Sequence, residues 1–311
     1  MAVEAELPWG EIAFPALVAI GFETPTWFPA GGPTPPASRA SAGLVFYEGG
    51  QSCALLFGGF EGPPLASLRG DVVVRCEGGW QLGSGVGGLA VDPTPGARQS
   101  PAMAYAPFGG INQGAYLFGG YAGGALGDLW RVTLSGAPGG ARSASWTRIG
   151  PPQAPAAGTW PPARYEAGLA WTGSELLLFG GLGAQNQLLS DSWAYNGSSW
   201  RKLCEGPGCF PERRSFATTA RGEGATREVL AVGGFGRQAD GTFGPSSEVL
   251  RFTSAGWQRV DSFEPAAEAT LADGRLSPAG QSAPGPRESF WAAGSPSGGL
   301  LLGSGIFDFE R

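Results

Sequence analysis

Leu55-Leu56-Phe57-Gly58-Gly59 is a short apolar run closed by a glycine pair, and the chain repeats it. The later copies are Tyr116-Leu117-Phe118-Gly119-Gly120, Leu177-Leu178-Phe179-Gly180-Gly181, Leu230-Ala231-Val232-Gly233-Gly234 and Leu300-Leu301-Leu302-Gly303-Ser304. Their first glycines stand 61, 61, 53 and 70 residues apart, a period that marks stacked supersecondary units. Each run is bounded by glycine and rich in Leu, Val and Phe. That describes a buried strand ending where the backbone needs a glycine conformation.

Other features recur around each glycine pair in fixed order. Upstream is a proline-preceded arginine: Arg39, Arg98, Arg164, Arg213 and Arg287. Two positions later comes Ser41, Ser100, Glu166, Ser215 or Ser289, and Phe46, Tyr105 and Trp171 lie seven positions after the first three arginines. Downstream, an acidic residue opens another apolar segment at Asp71, Asp128, Asp191 and Glu248, and the unit closes with Trp80, Trp146, Trp200 or Trp257. Four strands separated by Gly, Pro, Asn and Ser turns predict one small antiparallel sheet per unit. Asn196-Gly197, between Tyr195 and Trp200, is a favoured hairpin turn.

The arginine, glycine pair, acidic strand and tryptophan together resemble the kelch repeat, over nearly the whole chain. The fifth copy departs from it with Gly303-Ser304, and the fourth lacks the strand aromatic. The resemblance implies an all-β fold, a β-propeller of four-stranded antiparallel blades. The fifth unit stops at Arg311 before any tryptophan, and the chain begins with a strand-like Leu17–Phe22 followed by Trp27. Five blades are therefore expected in one domain spanning 1–311, the last blade built from both termini, which protects otherwise unpaired edges. Six blades is the alternative, because 261–286 is long enough to hold strands. Its Ala, Pro, Ser and Gly content favours a loop excursion.

Composition limits the partners. Net charge is −6 with only 15% charged residues, and no basic stripe or aromatic-plus-basic platform suggests nucleic acid. No apolar run is long enough for a membrane-spanning helix. Near the start, Ile12–Phe22 is flanked by Glu4, Glu6 and Glu11 and contains Pro15, which reads as a strand rather than a signal peptide.

Cys204 and Cys209 enclose a Glu-Gly-Pro-Gly turn. If strand 53–57 pairs antiparallel with 72–76 so that Phe57 faces Val72, then Cys53 faces Cys76, within disulfide range. Two disulfides are expected from this, with four unrelated thiols as the alternative; a zinc site lacks the spacing. Two disulfides imply an oxidising compartment, whether extracellular, periplasmic or luminal; four thiols would instead fit the cytoplasm. The Asn196-Gly197-Ser198 glycosylation pattern is explained by its hairpin role without a sugar.

The chain has no histidine, which removes Ser-His-Asp and Cys-His catalysis and most transition-metal sites. Copper oxidases that share a kelch-like propeller are disfavoured for the same reason. No catalytic residue, cofactor or metal is expected. The aspartates recur at one repeat position and read as structural, capping turns or accepting backbone N–H groups.

The resemblance places the recurring arginines near one mouth of a central channel, where Arg39, Arg98, Arg164, Arg213 and Arg287 would form a ring able to hold carboxylates. Repetition favours the other reading, in which each arginine bridges neighbouring blades. Symmetry breaks at Tyr165, Glu166 and Arg214, and in the loops that follow the glycine pairs, where recognition tends to reside. Phe60, Tyr121 and Phe235 directly follow the glycines, and either core or solvent suits them. The function expected is a non-catalytic protein–protein interaction module, outside the cytosol, using those loops or the arginine-lined mouth. The alternatives are a structural subunit of a larger assembly and a carbohydrate-binding or sugar-epimerising kelch protein.

Overall fold

The structure, a computed structural model, describes residues 39–47, 53–61, 67–76, 79–82, 94–136, 143–151, 156–206, 208–222, 227–237, 241–246 and 248–260, with strands at 287–288, 291–294, 300–303 and 306–307. The expected N-terminal strand, Trp27 and the 261–286 excursion lie outside the described residues.

Each of the first four repeats is built on a four-stranded antiparallel meander. In the first, β1 (Gly43–Tyr47), β2 (Cys53–Phe57), β3 (Val72–Cys76) and β4 (Gly79–Leu82) follow in spatial order. The second comprises β5 (Ala102–Ala106), β6 (Gly114–Tyr121), β7 (Ala125–Ser135) and β8 (Ser143–Gly150). The third begins with the short β9 (Arg164–Tyr165), which pairs with β12 (Leu182–Gly183). Its main sheet is β10 (Gly168–Trp171), β11 (Leu176–Phe179), β13 (Ser192–Tyr195) and β14 (Trp200–Cys204). In the fourth, β15 (Arg213–Arg214), β18 (Phe235–Arg237) and β19 (Phe243–Pro245) form a side ladder. Its main sheet is β16 (Ala217–Arg221), β17 (Glu228–Val232), β20 (Val249–Thr253) and β21 (Gly256–Arg259). The fifth repeat contributes β22 (Arg287–Glu288), β23 (Trp291–Gly294), β24 (Leu300–Gly303) and β25 (Ile306–Phe307). There β22 pairs with β25 and β23 with β24.

The second strand is apolar on both faces, and in the second and third sheets a neighbouring sheet covers each face. One face of the first sheet (Val45, Leu55, Val74) meets the second sheet (Leu117, Val132, Trp146). The second sheet's other face (Ala104, Phe118) meets the third (Leu178, Trp193). The third meets the fourth through Leu177, Phe179, Ala231 and Leu250, and β23 packs beside β16. Period-2 alternation is therefore lost in β2 and β11, where every residue is buried.

The closing tryptophan locks successive sheets together. Trp146 packs on Phe57 (5.0 Å), Trp200 on Phe118 (5.7 Å) and Trp257 on Phe179 (4.6 Å). In each case the partner is the phenylalanine just before the preceding repeat's glycine pair. Such contacts contribute about 0.5–1.5 kcal/mol beyond area burial.

The glycine pair is a seam between backbones. Gly119 has φ 63°, and a Cβ there would lie 2.3 Å from the Arg164 carbonyl oxygen of the next repeat. At the second glycine the N–H donates across the same seam: Gly59 to the Arg98 oxygen (2.9 Å) and Gly181 to the Arg213 oxygen (2.8 Å).

Both disulfides are present. The β2–β3 register pairs Phe57 with Val72 and Ala54 with Arg75, which places Cys53 against Cys76 at a Cα separation of 4.4 Å. The second joins Cys204 to Cys209 across the turn between the third and fourth repeats.

Candidate functional site

Four of the five proline-preceded arginines are buried ties and do not line an accessible ring. Arg39, Arg98, Arg164 and Arg213 are 0–4% exposed. Arg39 donates to both oxygens of Asp71 (2.9 and 2.8 Å), Arg98 to Asp128 (2.6 and 2.9 Å) and Arg164 to Asp191 (2.7 and 2.7 Å). Arg213 pairs with Glu248. Each Nη1 also donates to a carbonyl oxygen in its own glycine pair: Gly58, Gly119, Gly180 or Gly233. These four guanidinium groups thus fasten strands within one repeat, and neighbours are joined by backbone hydrogen bonds and ring packing, which corrects the expectation that the arginines bridge blades. Nor do the aspartates only cap turns: Asp128 and Asp191 also accept the indole N–H of Trp130 (2.6 Å) and Trp193 (2.7 Å). Arg287 begins β22 and is paired with Phe307, as Arg213 is with Gly236.

These contacts set the local electrostatics. Burial alone would raise the carboxyl pKa values of Asp71, Asp128 and Asp191. Hydrogen bonding and charge from Arg39, Arg98 and Arg164 outweigh it and hold all three below the ordinary 3.8. Burial lowers the Arg213 pKa, with Glu248 working against it.

The residue two after each arginine has a backbone role that its side chain conceals. Ser41, Ser100, Glu166 and Ser215 have φ of 55°, 49°, 54° and 53°, left-handed values that cost an ordinary residue about 1–2 kcal/mol. A chain of hydrogen bonds holds them: Ser100 N–H to Ser41 O (2.7 Å), Glu166 to Ser100 (3.2 Å) and Ser215 to Glu166 (3.2 Å). Four consecutive repeats are linked at one equivalent point.

Just beside that point, every repeat presents a cross-strand pair: Ala40 with Phe60, Gln99 with Tyr121, Tyr165 with Leu182, Arg214 with Phe235 and Glu288 with Ile306. The backbone is common to all and the side chains are not, so the repeats differ chemically here. Phe60, Tyr121 and Phe235 are half-buried, between the two expectations for them.

Tyr165, Glu166 and Arg214 come together where the third and fourth repeats meet. Glu166 accepts from Arg214 Nη1 (2.7 Å) and from the Ser215 hydroxyl, and Arg214 also donates to Ser215 Oγ (3.0 Å). Their side chains are 28% (Arg214) and 23% (Glu166) exposed. The Tyr165 ring lies 5.1 Å from Tyr121, and its hydroxyl donates to Asn186 Oδ1 (2.7 Å). Burial and the neighbouring Glu166 raise the Tyr165 pKa, so the phenol stays a donor at neutral pH. The Arg214 guanidinium stacks 5.0 Å from the Phe235 ring.

Beyond Phe235 the fourth repeat adds a hairpin. Arg237 faces Phe243 across it, with the guanidinium 4.8 Å from the ring and a 2.8 Å ion pair to Glu212. Phe243 is 52% exposed. Sequence reasoning singled out the loop after Gly233-Gly234 as variable but missed these three residues. Asp240-Gly241, a strong hairpin dipeptide, was the available signal.

Among the described residues, no three Cys, Asp or Glu side chains gather as a metal site would require. No protein-family model matches the chain, and a search of curated proteins finds no match.

Proposed function

We propose that this chain is a kelch-type β-propeller, its sheets closed into a ring of five, that serves as a non-catalytic recognition module. Closure is supported by the face-to-face succession of sheets, by the repeated tryptophan–phenylalanine contacts and by the hydrogen-bonded series from Ser41 to Ser215. The two disulfides are consistent with an oxidising, extracellular-type environment. One observation carries the recognition reading. At a position where the repeats share a backbone, the third and fourth combine, among the described side chains, a half-exposed tyrosine, a carboxylate and a guanidinium set against a ring. Scaffold residues repeat, whereas a binding surface departs from the repeat on a rigid support. Arginine and aromatic side chains dominate such surfaces energetically.

Selection of a random peptide display library on the full chain tests this. Enriched peptides should bind the native protein and lose about tenfold in affinity, roughly 1.4 kcal/mol, with Arg214→Ala or Tyr165→Ala. No enrichment, or binders indifferent to both substitutions, would remove the recognition site from this junction.

A further inference from the structure

We infer that Asn196 is a modification site, an acceptor for one N-linked oligosaccharide taken from a lipid-pyrophosphate donor. The inference is separate from the recognition reading and draws on the oxidising environment with which the two disulfides are consistent. The chain has three asparagines, and only Asn196 has a hydroxyl residue two positions later, in Asn196-Gly197-Ser198. That spacing is the acceptor pattern, and it needs a surface position.

The hairpin role of Asn196 occupies only half of its side-chain amide. β13 and β14 pair up to Tyr195 and Trp200, and residues 196–199 make the turn between them. Asn196 Oδ1 accepts the backbone N–H of Ser198 (2.9 Å) and of Ser199 (2.9 Å), an Asx turn that copies a backbone turn. Nδ2, the atom to which a sugar is joined, donates to nothing among the described residues. The turn thus holds the oxygen and leaves the nitrogen unengaged. In the transfer, the Nδ2 lone pair attacks C1 of the first sugar and the C1–O bond to the pyrophosphate breaks with its electron pair. The nitrogen gives one proton to the transferase, and lipid pyrophosphate leaves. The group remains an amide with its oxygen intact, so the turn survives the modification.

The tip also has room. Asn196, Ser198 and Ser199 are exposed, and β14 is the last strand of its sheet. Tyr195 stands opposite Leu176 and Ser192 opposite Phe179. The tip therefore lies at the end of the sheet away from the Gly180-Gly181 pair, and a sugar there leaves the Tyr165–Arg214 junction uncovered.

The test is production of the full chain behind a secretion leader in eukaryotic cells. Intact mass is measured before and after peptide-N-glycosidase, on secreted and cell-retained protein alike. The enzyme should remove the mass of one glycan and leave aspartate at position 196. Asn196→Asp keeps the acceptor oxygens of the turn and lacks the nitrogen, so it should fold, form both disulfides and carry no glycan. Ser198→Ala should lose the glycan and Ser198→Thr should retain it. Absence of glycan from both secreted and retained protein overturns the inference, as does a glycan that persists in Asn196→Asp. A glycosylated chain that melts below the Asn196→Asp chain overturns it too, by showing that the sugar breaks the turn. Display-selected peptides should bind equally with and without the glycan, so this inference and the recognition reading fail separately.

Discussion

Replacing Arg164 by methionine breaks the more enclosed of the two ion pairs built on a fully buried arginine in the described residues and keeps most of the side-chain volume. Arg164 is fully buried and makes four hydrogen bonds, two to Asp191 (2.7 Å each), one to Gly180 O (3.1 Å) and one to Pro162 O (3.2 Å). The substitution leaves Asp191, itself 3% exposed, held by the Trp193 indole N–H but without its guanidinium. Breaking a buried pair by removing one partner costs about 3–5 kcal/mol, a large share of the roughly 5–15 kcal/mol that holds a domain folded. Arg214→Ala breaks a pair about a quarter exposed and should cost about 1 kcal/mol or less. The Arg164→Met/Asp191→Leu double variant should recover about half of the Arg164→Met loss, because an apolar pair leaves no orphaned charge. Urea unfolding followed by tryptophan fluorescence, without reductant, gives these values and that of Asp191→Leu alone, which completes the cycle. A loss under about 1 kcal/mol for Arg164→Met, or additive single and double variants, would refute the assignment of the arginines to the interior.

The lowered pKa values of Asp71, Asp128 and Asp191 give a pH signature. Carboxyls depressed in the folded state stabilise it above their unfolded pKa, and that stabilisation is lost as pH falls through the folded value. Urea midpoints should stay flat from about pH 7 to 5 and drop below about pH 4; equal midpoints at about pH 6 and 3 contradict this. The Cys53–Cys76 bond closes 23 residues and Cys204–Cys209 closes 5, so chain entropy assigns them about 3.4 and 2.1 kcal/mol. Paired Cys→Ala variants should rank in that order, and the reverse order would count against the entropic account. Gly119→Ala combines a left-handed φ with a 2.3 Å approach to the Arg164 carbonyl and should cost more than about 2 kcal/mol. An unchanged melting temperature would show that the seam between repeats can relax.

The sequence carried strand identity and register well, since both are local or repeat-borne. The Phe57–Val72 alignment located the Cys53–Cys76 bond because one matched pair fixes every other pair in an antiparallel ladder. Partners were harder to read. An arginine and an acidic residue recur together in four repeats, but nothing in their spacing says that the guanidinium turns inward onto that carboxylate rather than outward to a channel. The serine position illustrates a different limit: its regularity reports a left-handed backbone at Ser41, Ser100, Glu166 and Ser215, and the side-chain hydrogen bond between Glu166 and Ser215 is invisible in it. The Arg237–Phe243 face occurs once, so no period could reveal it, and its register depends on a hairpin that only pairing defines.

Closure of the repeats into one ring is best tested by spin labels at Ala40→Cys and Glu288→Cys, equivalent positions in the first and fifth repeats. Stacked sheets lie about 10 Å apart. In a ring the two labels sit on neighbouring sheets, and double electron–electron resonance should give a single narrow distance below about 25 Å, allowing for the label arms. An open succession of the same sheets would set them four spacings apart, about 40 Å. A distribution centred there would contradict the ring and dissolve the shared rim on which the proposed recognition surface stands.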